Sequence, residues 1–423
     1  MAGEVDVTAA NGILKKVYDP KLGDLRPKSA ILQRKYGFSD GDKVGEEYRV
    51  GVAVQPPNGF TYLGSAGAVK QLSTPQNSII KQAAITPFES TLREQVAWAA
   101  MSRAAEAGEA AIKSLTGELV IAMRNSMANR LEASLIHGQR GYGTVESVTD
   151  ITPGVRATVV FTQPTFAPGM WQALGPGSRW DSFTGTTKNN GSGVLTLERV
   201  DAANRAVQFT YTGTLASEVT AGDVFFPSTS NAGSGNFDEM PGLLAQASNT
   251  TGVSLGLSAT TYTNWAGNLV DVAGANPSHG IIEDLLAVVR DRGAEGPLTV
   301  YVPNKMFSAL AVELAQIIQN PYKPEKGSQG FRQLSYFSPD VDEVNIVNHP
   351  FYKLGELSIF PDDYISRVGS SDITFGIPGM PKGQDLVQYV YGYNAAELGT
   401  WTDQAGILKR PNWSLVATGF AYT

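Results

Sequence analysis

Few residues in this chain have the types and spacing that chemistry needs. Gly252-Val253-Ser254-Leu255-Gly256 carries the G-x-S-x-G spacing of a nucleophile elbow, in which a serine is lifted on a sharp turn between a strand and a helix. The flanks do not supply those elements. Residues 245–251 are polar and 257–263 have no helical pattern, which predicts a Ser/Gly/Thr loop rather than a hydrolase serine. Asp40-Gly41-Asp42 opens like a calcium loop, but Val44 takes the third ligand position and Gly51 the place of the closing glutamate. A turn before a strand is the better reading. The three histidines, His137, His279 and His349, include no pair at zinc spacing and read as cap or surface residues. No phosphate-cradling glycine motif is present. Cysteine is absent, which removes disulfides and thiolate metal sites. The expectation is a protein that is not an enzyme and that holds no cofactor and no metal.

Bulk properties narrow the class further. The 423 residues suffice for two to three domains. Hydrophobic residues at 42% and charged residues at 17% describe a globular chain low in charge, and 45 Gly with 23 Pro imply many turns. A net charge of −7, from 33 basic and 40 acidic side chains, gives no bulk attraction to phosphate. Basic residues are not interleaved with aromatics as in a nucleic-acid reader. The N-terminus lacks the basic start and apolar run of a signal peptide, and no run approaches the ~20 apolar residues of a membrane span. A soluble chain with no membrane partner is expected, and the lack of cysteine fits a reducing cytosol.

The elements that would position any site come next. Residues 1–35 read as an arm. Between positions 15 and 35, Lys15, Lys16, Lys21, Arg26, Lys28, Arg34 and Lys35 stand against Asp19 and Asp24, about +5 for that stretch, which leaves the rest of the chain near −12 (−7 minus 5). The arm should therefore lie on an acidic neighbour, held also by apolar anchors such as Ile31 and Leu32. In 47–55, Tyr48, Val50, Val52 and Val54 alternate with Glu47, Arg49, Gly51 and Ala53, the period of a strand. Pro56-Pro57-Asn58-Gly59 stops the run, and 78–85 reads as the return strand of a long hairpin over 45–86. A hairpin of that length cannot bury itself. Tyr48, Val50, Val52, Val54, Ile79 and Ile85, with Lys15, Lys16, Arg26, Arg34 and Lys35 of the arm, are the expected inter-subunit contacts. Ile112, Leu115, Leu119, Met123, Met127, Leu131 and Leu135 then fall three or four apart, one apolar stripe. Ser102 as N-cap and Gly138 as stop predict a helix of about 35 residues, ~50 Å long. Residues 143–235 change to short β-runs at 156–162, 194–200, 206–211 and 223–226 with almost no helical pattern. They predict a small inserted all-β domain that need not touch the main core. Beyond 240, helices at 281–292 and 304–319 and strands at 298–302, 343–347, 357–360, 386–393 and 414–419 complete an α+β fold.

This order of arm, long hairpin, long helix, β-insertion, α+β body and returning strand resembles the major capsid protein fold of tailed bacteriophages (the Johnson, Hong Kong 97-like fold). The hairpin resembles its E-loop and the long helix its spine helix. Met240-Pro241-Gly242-Leu243 resembles the re-entry after the insertion. The helix at 281–292, the strand ending in Pro303 and the helix at 304–319 resemble the A-domain. His349-Pro350, Gly355-Glu356-Leu357 and Phe360-Pro361-Asp362 resemble its late strand-turn segment, and Asn412-Trp413-Ser414 the return of the chain. On that resemblance the chain divides into an arm (1–35), an E-loop (36–90), a P-domain with the spine helix (91–142), an inserted β domain (143–237), a P-domain re-entry with the A-domain (238–395), and a return to the P-domain (396–423).

The resemblance implies self-assembly as hexamers and pentamers into an icosahedral capsid that encloses double-stranded DNA without sequence-specific binding. It places the chain in a virion assembled in the host bacterial cytoplasm. It implies a portal protein, a decoration protein and, because the arm is short, a separate scaffolding protein as partners. Some members cross-link a hairpin lysine to a neighbour's asparagine; Lys70 and Lys81 lie in this hairpin, and the other partners are not identifiable from sequence. Two rivals stand beside this reading: an encapsulin-type nanocompartment shell of the same fold, and a β-rich adhesin or carbohydrate-binding protein, which would need an export signal.

Overall fold

The computed structural model describes residues 30–38, 45–65, 69–99, 115–190, 193–212, 215–229, 237–317, 333–338, 341–376 and 387–422. They belong to two units, one taking Leu92–Asn125 and Phe375–Thr400, the other Pro27–Thr91, Ser126–Thr374 and Trp401–Thr423.

The larger unit opens with a one-turn helix, α1 (Ile31–Lys35). The alternation at 48–55 forms strand β1 (Tyr48–Gln55), paired antiparallel with β2 (Ile79–Ile85), so that Tyr48 faces Ile85 and Ala53 faces Ile80. After β3 (Phe88–Ala97), the long helix α2 is described over Leu115–His137, about 34 Å at 1.5 Å per residue. Ser102 lies outside the described residues. The helix stops where glycine predicts. The Gly138 N–H bonds the Ser134 carbonyl at 2.8 Å, and a Cβ at 138 would collide with the Met240 carbonyl, so a side chain there would force the two segments apart.

The β-rich stretch builds a seven-stranded antiparallel sheet: β4 (Val145–Thr152), β5 (Arg156–Phe161), β6 (Arg179–Thr184), β7 (Thr187–Lys188), β8 (Leu195–Asp201), β9 (Ala206–Thr210) and β10 (Val224–Pro227), in the order β10-β6-β8-β9-β5-β4 with β7 on β6. Two short helices interrupt it, α3 (Pro168–Leu174) and α4 (Leu215–Glu218). Neither is long enough to show a helical period, although α3 carries the standard punctuation of proline in its first turn and Gly175 at φ 68° after its last. The expectation that this segment leaves the main core untouched does not hold. Phe161, Trp171, Trp180, Phe209 and Phe225 belong to the same continuous core as Leu131 and Leu135 of α2, Tyr301, Tyr352 and Val416.

Helix α5 (Leu243–Ala247) re-enters the body, followed by the two-residue strands β11 (Val253–Ser254) and β12 (Leu257–Ser258). A second sheet is mixed, in the order β13-β21-β17-β14-β16-β15, from β13 (Asn268–Asp271), β14 (Leu298–Val302), β15 (Gln333–Ser338), β16 (Val341–Asn348), β17 (Leu357–Pro361) and, after β18 (Ile365–Phe375), β19 (Val387–Tyr389) and β20 (Ala395–Leu408), the closing β21 (Leu415–Thr418). The β14 positions are all buried, as its run of Leu, Val, Tyr and Val predicts for a strand covered on both faces. Helix α6 (His279–Asp291) is capped by Ser278, whose side chain accepts the Ile281 N–H at 3.3 Å. With α7 (Asn304–Ile317) in the chain beside it, α6 packs Ile282, Leu285, Leu286 and Val289 into a core shared with Leu298, Val300, Met306 and Leu310. In the smaller unit, Val96 of β3, Met123 of α2 and Leu398 of β20 form a separate cluster with Leu92, Leu119, Val120 and Phe375, and Arg93 pairs with Glu397 at 2.8 Å.

Candidate functional site

The hairpin positions the residues with the most to offer a partner, but they are not the ones its alternation points to. Tyr48 and Val50 pack against the main core, where Ile85 is buried. Val54 and Ala83 are buried in a small cluster with Leu257 and Trp265, and Val52 and Ile79 lean on the same cluster. The apolar face of β1 and β2 is therefore packed against its own chain, with Tyr48, Val50, Val52 and Ile79 still partly exposed. The cover is supplied by the segment that carries G-x-S-x-G. There, Leu255 at φ 51° and Gly256 at φ 78° make the tight turn between β11 and β12, a hairpin turn with two left-handed residues. The Leu255 carbonyl accepts the Ala84 N–H at 3.0 Å, and the Ser254 carbonyl accepts the Trp265 Nε1–H at 3.1 Å. Ser254 stands on a β-hairpin, not between a strand and a helix, so the motif supports the base of the long hairpin and makes no nucleophile elbow.

Beyond the base, the hairpin runs out of cover. Phe60, Tyr62 and Val69 are 77%, 89% and 104% exposed, and Leu63, Leu72 and Ile80 are exposed too. The ribbon is still tied: the Ser73 N–H donates to Thr61 Oγ1 at 2.7 Å, Ser73 Oγ donates to the Gly59 carbonyl at 2.8 Å, and the Asn58 N–H donates to the Gln76 carbonyl at 3.1 Å. A run such as Phe60-Thr61-Tyr62-Leu63 inside a Gly- and Pro-rich tip was the available sequence signal. It has no strand period, so pattern reading passes over it.

The arm enters through α1, and a buried carboxylate receives it. Ala30 offers no side-chain cap, so Glu132 of α2 acts in its place. Its Oε1 accepts the Leu32 N–H at 2.6 Å and its Oε2 the Gln33 N–H at 3.1 Å, while Gln33 Nε2 donates to the Ala128 carbonyl at 2.6 Å. His349 Nε2 meets Glu132 Oε1 at 2.9 Å, and both side chains are fully buried. Lys35 pairs with Asp362 at 2.8 Å and donates to Thr299 Oγ1 at 2.8 Å. Arg34 is exposed, with Nε bonded to the Ala30 carbonyl at 2.9 Å. Lys15, Lys16 and Arg26 lie outside the described residues. Lys35 is thus bound to its own chain.

His137 and His349 are fully buried, not surface residues, and the α6 residue His279 pairs with Glu313 at 2.9 Å. His137 Nε2 lies 2.8 Å from the Phe351 carbonyl, which fixes that nitrogen as the protonated one. Burial pushes the imidazole down to about 3, with Lys353 adding to the shift. Lys353, buried, donates to the Gly141 carbonyl at 2.9 Å and is pushed down to about 8 by desolvation. Burial works against the charge on Glu356, but Arg140 at 2.9 Å and Lys353 hold its carboxyl below the ordinary range. These groups knit the end of α2 to residues 349–356, while His137 Nδ1 and Glu356 Oε2 are buried without a hydrogen-bond partner. A cleft of about 510 Å³ beside Gln163, Arg205, Lys305 and Tyr352 contains no acid, histidine or serine in its lining. No group of three or more His, Asp or Glu able to hold a metal occurs among the described residues, and none of the described helices is long and apolar enough to cross a membrane.

Comparison with solved structures matches the whole chain. It is similar to the capsid protein of cyanophage A-1(L), with a TM-score of 0.58 and 10% identity over 97% of this chain and 98% of that one. It is also similar to the capsid of a native GTA particle, with a TM-score of 0.50 and 10% identity over the full length of both chains. No family model matches, and no curated protein does. The fold is that of the phage major capsid proteins, an α+β fold with a long hairpin and a long helix.

Proposed function

We propose that this chain is a structural shell protein that assembles with copies of itself into a closed capsid. One observation carries the reading: a hairpin whose base is fixed to its own core holds five large apolar side chains in solvent beyond its strands, with Ile80 exposed on the back of β2. Burying one such side chain stabilises by ~1.5–3 kcal/mol, so the tip offers roughly 10 kcal/mol gross. Association costs an amount of the same order, so a single contact is weak. A shell multiplies that contact by symmetry, and the sum is stable while each step stays reversible. The finer expectations belong to the same proposal: hexamers and pentamers, an icosahedral shell around double-stranded DNA, a separate scaffold, and portal and decoration proteins. A net charge of −7 fits a container that holds DNA by closure rather than by phosphate contacts.

Negative-stain microscopy and sedimentation of the purified chain, alone and with host lysate, test it. Capsomer rings or shells support the proposal. A monomer at every concentration in both conditions overturns it. The nucleic acid content of purified particles separates a DNA container from a shell around protein cargo.

A further inference from the structure

Asn-Gly occurs three times in the chain, at 11–12, 58–59 and 190–191. Asn11 lies outside the described residues. The other two asparagines are held in opposite ways. Asn190 is fully buried, and its carboxamide is gripped at both ends. Oδ1 accepts the Ser182 N–H at 3.0 Å, and Nδ2 donates to Asp181 Oδ1 at 3.0 Å and to the Gly193 carbonyl at 2.7 Å. Asn58 stands in a run exposed from 55 to 60. Its N–H and the Gly59 carbonyl are tethered across the ribbon to Gln76 and Ser73. Among the described residues, nothing hydrogen-bonds the Asn58 carboxamide or the Gly59 N–H. Because the following residue is glycine, no side chain screens that nitrogen from the Asn58 Cγ.

We propose that Asn58 is a self-modifying site, deamidating spontaneously in the free subunit and placing a carboxylate in a hairpin tip that otherwise carries no acidic residue. The Gly59 nitrogen gives up its proton to solvent base and attacks Asn58 Cγ. The N–Cγ bond forms, the Cγ–Nδ2 bond breaks, and the nitrogen leaves as ammonia with a proton from water. Water then opens the cyclic imide at one carbonyl or the other, giving aspartate or isoaspartate. Each product carries one new carboxylate. Only water and base are consumed, and the rate rises with pH. The reaction needs the side chain and the following peptide to rotate together, so covering the tip suppresses it. On the reading that the tip lies against another copy, which this consequence rests on, a carboxylate formed before docking must be desolvated. Aged subunits then assemble less well, and the tip limits how long a free subunit stays competent.

The test is peptide mapping of the full-length protein, with isoaspartate detection, during incubation at mildly alkaline pH. The three hydrogen bonds that restrain Asn190 lead us to expect Asn58 to convert about 100-fold faster. Equal rates, or conversion at Asn190 first, overturn the proposal. Gly59→Ala slows the reaction if the mechanism is right. Its Cβ would stand 3.2 Å from the Gln76 nitrogen, so Asn58→Gln serves as the second, less intrusive block. For the consequence, Asn58→Asp presents one aged product directly and is expected to lower particle yield several-fold relative to Asn58→Gln. Equal yields overturn it. If fresh wild-type protein forms no particles, the shell reading fails, while the peptide map still decides the chemistry.

Discussion

A carboxylate with no exposed surface persists only where its lone pairs are used, and Glu132 spends its oxygens on the Leu32 and Gln33 N–H groups and on His349. Glu132→Ala leaves two buried donors, the Leu32 N–H and His349 Nε2, and the part-buried Gln33 N–H without an acceptor. At ~1–3 kcal/mol for each buried unsatisfied group, the expected loss is at least about 2 kcal/mol. It is read from the urea midpoint at unchanged slope, with faster hydrogen exchange at residues 31–35. A loss under ~1 kcal/mol would mean that α1 is held by Leu32 packing alone. His137 gives a pH dependence of known sign. Its folded value of about 3 lies below the ordinary 6.5, so between those values the unfolded chain binds a proton that the folded chain refuses. Stability is therefore intact above about pH 6.5 and falls as pH drops, by about 3 kcal/mol at pH 4.5. Glu356, held below its usual 4.5, adds a further loss only below that pH. His137→Gln should flatten the upper limb of the stability curve and leave the lower one; an unchanged curve between pH 6.5 and 4.5 refutes the assignment. None of this was legible in the sequence. The spacing of three histidines excludes a zinc pair, but burial depends on which segment crosses the end of α2, and residues 349–356 are more than two hundred positions away.

At the scale of elements, pattern reading located the hairpin strands to within a residue or two and did not show what covers them. Alternation in Tyr48, Val50, Val52 and Val54 states that one face is buried; it does not state by whom. The answer lay in Leu257, Tyr262 and Trp265, in a stretch whose G-x-S-x-G spacing points elsewhere. The helix shows the converse. Its stripe predicts one buried face, yet every residue from Leu131 to Gly138 is buried, because α1, the seven-stranded sheet and residues 349–356 surround that end. Two sets of variants separate base from tip. Val50→Asp with Val52→Asp places charges against the chain's own core and should unfold it, at a cost of several kcal/mol. Phe60→Ser with Tyr62→Ser changes solvent-exposed side chains and should move the urea midpoint by less than ~0.5 kcal/mol while sharply reducing particle formation in sedimentation. Full assembly by the tip variant, or a stable soluble monomer from the base variant, would reverse this division.

For the larger unit as a whole, the question is whether the β-rich stretch is a detachable module. Composition argues that it is: 143–235 changes abruptly to Gly, Ser, Thr and short β-runs, and such a change usually marks a boundary. Packing argues that it is not. Trp171 lies 4.5 Å from Trp180 and 4.9 Å from Phe161, ring centre to ring centre, and Trp180 meets Tyr142, just beyond the end of α2, at 5.3 Å. The core that holds these rings continues without a break into Leu131, Leu135, Met240, Leu243 and Tyr352. Composition reports the surface and turns of a segment, and those are β-like here. It does not report where the few large aromatic residues point, and they point into the shared core. Removing residues 150–230 should therefore expose that core and give an insoluble or unfolded chain. Trp171→Ala is the finer probe. A fully buried tryptophan truncated to alanine costs about 3–5 kcal/mol, and because the core is shared, the loss should appear in one cooperative transition. Far-UV circular dichroism, aromatic fluorescence and protease susceptibility should then shift together. Two separated transitions, with only the 143–235 segment becoming protease-sensitive in the Trp171→Ala variant, would show that the segment unfolds alone and that the shared core is not an energetic unit.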